Sequence, residues 1–361
     1  MSRTIQRVRY PPFESEHMVP SNLPISEAIV EIPNRDFTNF RIGNENDWLV
    51  EWKEIQDEDY DRVFLDCEVT NNPPDFLTRT RTGWFIDPDP LHNISRRLIL
   101  PTVLLLIFSL FVHAIEPVLA SNGLIGNIVA GSIQIGPLEY PRLLFYTFPL
   151  FLMPLLFRTV ANFRDISRQS FISKKPYQDP KISMKMNRGN SKFTINNIDT
   201  RITPSRARLQ VGVVSPERSS VLYSLGRIAS GQPSPGMSTR LPDKRVSLGD
   251  EVGSGVGESI PMQSESKKNV ILEPLRIMSS GKWCTDVKAD SECKIEMPDG
   301  DWPGSIYSSL VAVHWELIIE FIQPDGRKIK WVSPITMPHP DEDAIIEEAP
   351  VISGRAEMSN F

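Results

Sequence analysis

The chain of 361 residues lacks most of what marks an enzyme. Its five histidines (His17, His92, His113, His314, His339) are scattered, and none forms HxxxH, HExxH or a Cys/His pair at metal-ligand spacing. A GxSxG elbow, a GxxxxGK[ST] loop and a GxGxxG motif after a strand are all missing. Gly253–Gly257 reads GSGVG but lies in a polar stretch, where it is a linker. No catalytic residue, cofactor or metal is therefore expected. Cysteine is scarce: Cys67, Cys284 and Cys293 make an odd count without a CxxC, which excludes a disulfide framework and points to free thiols in a reducing compartment. No signal-peptide pattern is visible before the first long apolar stretch, near residue 98. A net charge of −6 gives no hint of a nucleic-acid partner.

Long apolar runs and proline are abundant instead. Leu98–Ile115 (LILPTVLLLIFSLFVHAI) is uncharged over 18 residues, about 27 Å of helix, close to the hydrocarbon thickness of a bilayer. Arg96 and Arg97 precede it and Glu116-Pro117 end it; Pro101 falls in the first turn, where a missing N–H costs little. Leu143–Phe157 (LLFYTFPLFLMPLLF) lies between Arg142 and Arg158, whose side chains can snorkel, and Pro149 and Pro154 kink it. The spacing predicts a transmembrane hairpin over 98–163, with spans at 98–119 and 141–162 anchored by Arg97, Arg142 and Arg158. The glycine-rich stretch Val118–Leu138 between them is read as a surface loop, because a third span would leave almost nothing for turns.

Sidedness follows from basic residues near the span ends. Arg79, Arg81, Arg96 and Arg97 precede the hairpin, and Arg158, Arg164, Arg168, Lys174 and Lys175 follow it, while the connecting loop holds only Arg142. Both termini are expected to be cytoplasmic. From Arg164 to Lys192 there are eight basic and two acidic residues, so Arg164, Arg168, Lys174 and Lys175 are candidates for contact with anionic headgroups.

The rest divides by composition. Residues 1–44 read as a mobile N-terminal tail. Residues 45–95 form a small acidic segment with short strands at Trp48–Trp52 and Arg62–Val69; the acidic run fits no calcium loop and reads as a solvated face. Residues 164–214 hold the basic segment and two strands, Lys192–Ile202 and Arg206–Val214. The Ser-, Gly- and Pro-rich stretch 215–268 is expected to be a disordered insert. In 269–340 the strongest pattern is Val311–Ile322 (VAVHWELIIEFI), which alternates with period two and so reads as a long strand. Val313, Trp315, Leu317, Ile319 and Phe321, with Trp331 from the returning strand, are the expected core. Pro324-Asp325-Gly326 is the turn between the two. Asn269–Ile277, Cys293–Met297 and Ser333–Met337 are further strands, and 341–361 an acidic tail.

The stretch Ile295–Pro338, reading IEMPDGDWPGS, VAVHWELIIEF and WVSPITMP, resembles the second half of prokaryotic arrestin-like β-sandwich domains of the sporulation-control type. The resemblance covers about 45 residues. The first half, with its Tyr-x-x-Gly-Asp strand, is echoed only by Arg245–Asp250, or is built from the strands at 63–69 and 192–214. It implies an immunoglobulin- or arrestin-like antiparallel sandwich that binds a protein partner, not an enzyme. The expected class is a membrane α-helical hairpin with a mainly β cytoplasmic domain and long disordered segments. The two functions that fit are a membrane-anchored interaction or scaffold protein, and a small oligomeric transporter or channel subunit built on the hairpin.

Overall fold

A computed structural model describes residues 2–11, 18–32, 38–55, 64–65, 69–74, 77–78, 81–126, 129–186, 191–214, 271–272, 274–308 and 310–356. The insert 215–268 with its GSGVG, the RVSLGD echo at 245–250, Cys67 and much of Arg62–Val69 lie outside the described residues, as do Asn269, Val270 and Glu273. The chain divides into two compact units, Met1–Asp87 with Pro176–Phe361, and Pro88–Lys175.

The first unit is mainly β, and two of its sheets use segments from both sides of the second. Strands β1 (Ser2–Arg9), β2 (Ser26–Ile32), β3 (Phe40–Gly43), β4 (Leu49–Ile55), β5 (Phe64–Leu65) and β6 (Gly83–Phe85) come first. After the helical unit follow β9 (Lys181–Lys185), β10 (Ser191–Asn196), β11 (Thr203–Val214), β12 (Ile277–Ser280) and β13 (Glu292–Ile295). The last four are β14 (Ile306–Tyr307), β15 (Ala312–Ile322), β16 (Lys328–Ile335) and β17 (Ala344–Ile346). One sheet has the order β17-β3-β4-β1-β2-β5, a second β12-β11-β15-β16-β6 with β14 beside β15, and a third β13-β10-β9.

The first sheet corrects two expectations. Residues 1–44 are not a tail: β1 sits between β2 and β4 in an antiparallel ladder. Nor is 341–361 only an acidic tail, since β17 pairs in parallel with β3. The reason is charge pairing across strands. Arg7 of β1 meets Glu27 at 3.0 Å, Glu45 at 2.8 Å and Glu51 at 2.9 Å, and Arg3 meets Glu31 at 3.0 Å. The acidic run that looked solvated is thus partly the counter-charge of β1. The opposite face buries Ala28, Val30, Phe40, Ile42, Val50 and Trp52, while the charged face also buries Ile5, Ile29 and Leu49 beside its ion pairs.

In the second sheet β15 is central, joined to β11 over its whole length and to β16 from Trp315 to Ile322. Val313, Trp315, Leu317, Ile319 and Phe321 share one face with Leu209, Val211 and Val213 of β11, and with Trp331, and all are buried. Trp315 donates its indole N–H to the Pro303 carbonyl at 2.9 Å. At the β15–β16 turn Gly326 has φ +79° and donates its N–H to Gln323, a conformation open to glycine at no steric cost. The Arg327–Val332 and Ser333–Met337 segments form the single strand β16. Residues 271–276 are not strand where described, and β12 starts at Ile277. β11 takes its bulge between Pro204 and Arg206, since proline cannot donate to a ladder. Cys284 and Cys293 are free thiols.

The second unit holds α1 (Leu91–Ala114), α2 (Glu116–Ser121), the two-stranded β7 (Ser132–Ile135) and β8 (Leu138–Pro141), and α3 (Arg142–Lys174). α1 and α3 are each long and apolar enough to cross a membrane. Neither matches the expected span. α1 starts before 98 but ends at Ala114, where Ile115 caps it ahead of Glu116-Pro117 and the expected 98–119 breaks. α3 runs on past 162 because residues 164–174 continue the helical hydrogen bonding. Val118–Leu138 contains α2 and the β7–β8 turn, both too short to span.

Polarity in the pair is inverted. The buried residues are His92, Ser95 and Ser109 on α1, and Thr147, Pro154, Ala161, Asp165 and Ile172 on α3. Leu100, Phe108, Phe111, Phe148, Leu155 and Leu156 are exposed. The hydroxyls of Ser109, Thr147 and Thr159 each donate to the carbonyl four residues earlier, so none is left unmet in an apolar setting.

Candidate functional site

The second face of β15 is where the first unit departs most from a plain apolar core. Alternation puts His314, Glu316, Ile318 and Glu320 on this face. The ladder sets Gly212, Gln210, Arg208 and Arg206 of β11 opposite them on one side, and Pro334, Val332 and Lys330 of β16 on the other. β6 adds Phe85 beside Lys330. His314, Glu316, Glu320, Gln210, Arg208 and Lys330 are all buried, which requires that their charges be matched.

At the inner end Glu316 is fully buried and accepts two hydrogen bonds from Arg81, at 2.9 and 2.7 Å, and one from Gln210 at 2.8 Å. His314 Nε2 lies 3.5 Å from the same carboxylate, and its Nδ1 lies 2.8 Å from the Tyr307 hydroxyl. Burial pushes the Glu316 carboxyl up, but the Arg81 charge and the hydrogen bonds from His314 and Arg81 outweigh it and hold the group at about 2. Burial lowers His314 despite Glu316, so the imidazole is neutral; burial raises the Tyr307 phenol, which stays protonated. Glu316 is thus held by Arg81 and Gln210, and His314 by Tyr307. That arrangement fixes the register of β11, β15 and the helical Arg81.

The outer end is different. Arg206 grips Glu320 bidentately at 3.0 and 2.9 Å, and Lys328 meets Glu320 at 3.0 Å. Lys330 meets Asp87 at 2.6 Å. Arg208 lies between them with 6% exposure, and its Nε and Nη2 have no hydrogen-bond partner among the described residues. The guanidiniums of Arg206 and Arg208 lie 4.1 and 4.4 Å from the centre of the Trp283 ring, a favourable cation–π arrangement. Burial, then the neighbouring Arg206, lowers the Arg208 guanidinium to about 10.

In the second unit Arg97 is exposed on α1, Arg142 opens α3, and Arg158, Arg164, Arg168 and Lys174 lie along α3, with Lys175 just past its end. Arg142 reaches the Ser132 carbonyl at 3.4 Å. Asp165 accepts the Asp89 N–H on both oxygens at 3.2 Å and contacts His92 at 3.1 Å; Arg168 lies 3.4 Å from Asp165 and Arg164 3.5 Å from Asp89. These contacts tie the start of α1 to α3. His113 lies 3.0 Å from Glu116, which also accepts the Gly131 N–H, so this pair anchors the connecting loop.

Sequence reasoning missed Arg81, Gln210, Arg208 and Lys330. A signal was present: Arg206, Arg208 and Gln210 at period two on one long strand complement Glu316 and Glu320 on another. Among the described residues no group of three His, Cys, Asp or Glu side chains could hold a metal ion. No protein-family model matches the chain, and neither a curated protein nor a solved structure shows significant similarity to it.

Proposed function

We propose that the chain is a two-span membrane protein whose hairpin anchors a cytoplasmic β unit of the interaction or scaffold type. The observation that carries this reading is the inverted polarity of the α1–α3 pair. A helix pair made for water buries its large apolar side chains, whereas this one buries Ser95, Ser109, Thr147 and Ala161 and exposes phenylalanine and leucine. Small and hydroxylated side chains at the seam, with large apolar ones outside, suit a solvent of hydrocarbon.

The chain also leaves and returns to one sheet, since β6 before the hairpin pairs with β16 after it. A polypeptide that does so crosses a bilayer an even number of times. The excess of Lys and Arg at the outer ends of the hairpin favours the cytoplasmic side for the β unit. The arrestin-like sandwich reading is supported by the long antiparallel β15–β16 pair inside the stretch that carries the resemblance, and by β11 beside β15, where the missing first half is needed. The mutual pairing of the inner ionisable groups suits a rigid binding module, and a protein partner is the class it implies.

The transporter reading needs ionisable groups facing the seam. Among the described residues, the buried seam positions inside the two apolar runs are Ser109, Thr147 and Pro154, and both hydroxyls bond their own helices. The experiment is cross-linking of the full chain in its native membrane, followed by alkaline carbonate extraction and purification. A carbonate-resistant chain cross-linked to a protein partner is the expected result. A homo-oligomer without partner that conducts ions in liposomes, or a chain released by carbonate, would overturn the reading.

A further inference from the structure

We propose that Arg208, with Arg206, Lys330 and Trp283, forms a binding site for the phosphate headgroup of an anionic lipid. The first observation is a charge excess. This end of the sheet holds four cations, Arg206, Arg208, Lys328 and Lys330, against two carboxylates, Glu320 and Asp87. Glu320 is shared by Arg206 and Lys328, and Asp87 is taken by Lys330. The next carboxylate along β15, Glu316, is bound by Arg81 and Gln210. Arg208 is left over.

The second observation is that Arg208 is not merely unmatched but buried, with two of its fork nitrogens unbonded among the described residues. An unpaired buried guanidinium is costly, and stacking on an indole offsets only part of that cost. A tetrahedral anion is the shape that satisfies such a fork bidentately. Trp283 covers the site as a lid. It is half-buried at the edge of the cluster of Phe85, Leu272, Ile318 and Val332, and displacing its ring would open the Arg208 fork.

The third observation selects a lipid as the source of the phosphate, and it rests on the membrane reading above. Asp87, the partner of Lys330, is four residues before the first residue of α1, at most about 14 Å of extended chain. On the return side Tyr177, two residues after Lys175, packs at a tilt against Trp84 of β6, ring centres 5.4 Å apart, and accepts a hydrogen bond from Gln323 at 2.8 Å. Both connections to the hairpin therefore start from the β6 edge of this sheet, and the leading one starts at a residue of the site. On the membrane reading, the short covalent link from Asp87 to α1 keeps this site tethered near lipid phosphates.

The test uses the full chain purified in detergent, titrated with short-chain phosphatidic acid, with phosphatidylcholine of equal chain length, and with inorganic phosphate, each read by tryptophan fluorescence. Saturable binding of the acidic lipid, at least tenfold tighter than either control, is expected. Equal binding of inorganic phosphate would overturn the lipid assignment, and no binding of any probe would overturn the site. Arg208→Met is expected to abolish binding yet melt at or above the wild-type temperature in lipid-free detergent, because it removes an unpaired charge. A variant that melts lower would show that Arg208 is structural and overturn the proposal. Arg208→Lys keeps the charge without the fork and is expected to bind at an intermediate level. Carbonate extraction of the same variants reads membrane integration separately, so failure of the site and failure of the membrane reading are distinguishable.

Discussion

Replacing Arg81 with methionine is the sharpest perturbation of the β unit. The side chain keeps much of its length but loses the two hydrogen bonds, at 2.9 and 2.7 Å, that it donates to Glu316. The carboxylate then stays at 0% exposure with Gln210 and His314 as its neighbours. Breaking a buried pair by removing one partner costs about 3–5 kcal/mol. Removing both charges, as Arg81→Met with Glu316→Leu, takes away the buried pair together and deprives Gln210 of its Glu316 acceptor, so the double variant should lie about 1–2 kcal/mol below wild type. Urea unfolding of the full chain in detergent, followed by tryptophan fluorescence at several pH values, measures both. In the wild type Glu316 is held at about 2 from an ordinary 4.5. Its contribution, roughly 3 kcal/mol, is present above pH 4.5 and is lost as the pH falls toward 2. Without Arg81, burial raises the carboxyl, so the deficit of the single variant should be largest at neutral pH and shrink on acidification. A loss under about 1 kcal/mol at pH 7, or a deficit that grows in acid, refutes the pairing.

Other consequences are measured more simply. Trp315→Ala removes a buried indole and should cost about 3–5 kcal/mol in the same unfolding assay; an unchanged midpoint would show the ring to be exposed. Gly212→Ala should destabilise, because an added Cβ would stand 2.8 Å from the Ile277 carbonyl oxygen and 2.6 Å from Leu275; wild-type melting would contradict that packing. Leu106→Arg with Leu150→Arg should abolish membrane integration, at roughly 2.5–3.5 kcal/mol each near a bilayer centre, and carbonate extraction reads the result. Neutral His314 is favoured by folding, so stability should begin to fall as pH drops below 6.5; His314→Gln, compared by thermal melts, should lose that part of the acid sensitivity.

How much of this was legible in the sequence depends on range. The β15 pattern is local: alternation over twelve residues identifies one face, and Val313 through Phe321 lie there with Trp331. The hairpin is legible for the same reason, as two uninterrupted apolar runs. β1 was not, because SRTIQRVR carries arginines at alternate positions and looks solvated; its counter-charges at Glu27, Glu45 and Glu51 arrive from other strands. The buried ionic face failed most completely. A strand with Glu316 and Glu320 on its second face suggests exposure to water, and only the fold brings Arg81 from 235 residues away to Glu316. Arg208 carries no local mark that distinguishes it from Arg206; what sets it apart is the absence, among the described residues, of a hydrogen-bond partner for its Nε and Nη2.

The central claim is that one hairpin crosses the membrane twice and returns the chain to the side it left. Single cysteines placed at the exposed positions Arg3, Asn122 and Glu347, in a chain freed of its own cysteines, can be labelled in sealed vesicles with a membrane-impermeant maleimide. Arg3→Cys and Glu347→Cys are expected to react from one side and Asn122→Cys only from the other. Labelling of Arg3→Cys and Glu347→Cys from opposite sides, or of all three from the same side, would contradict it.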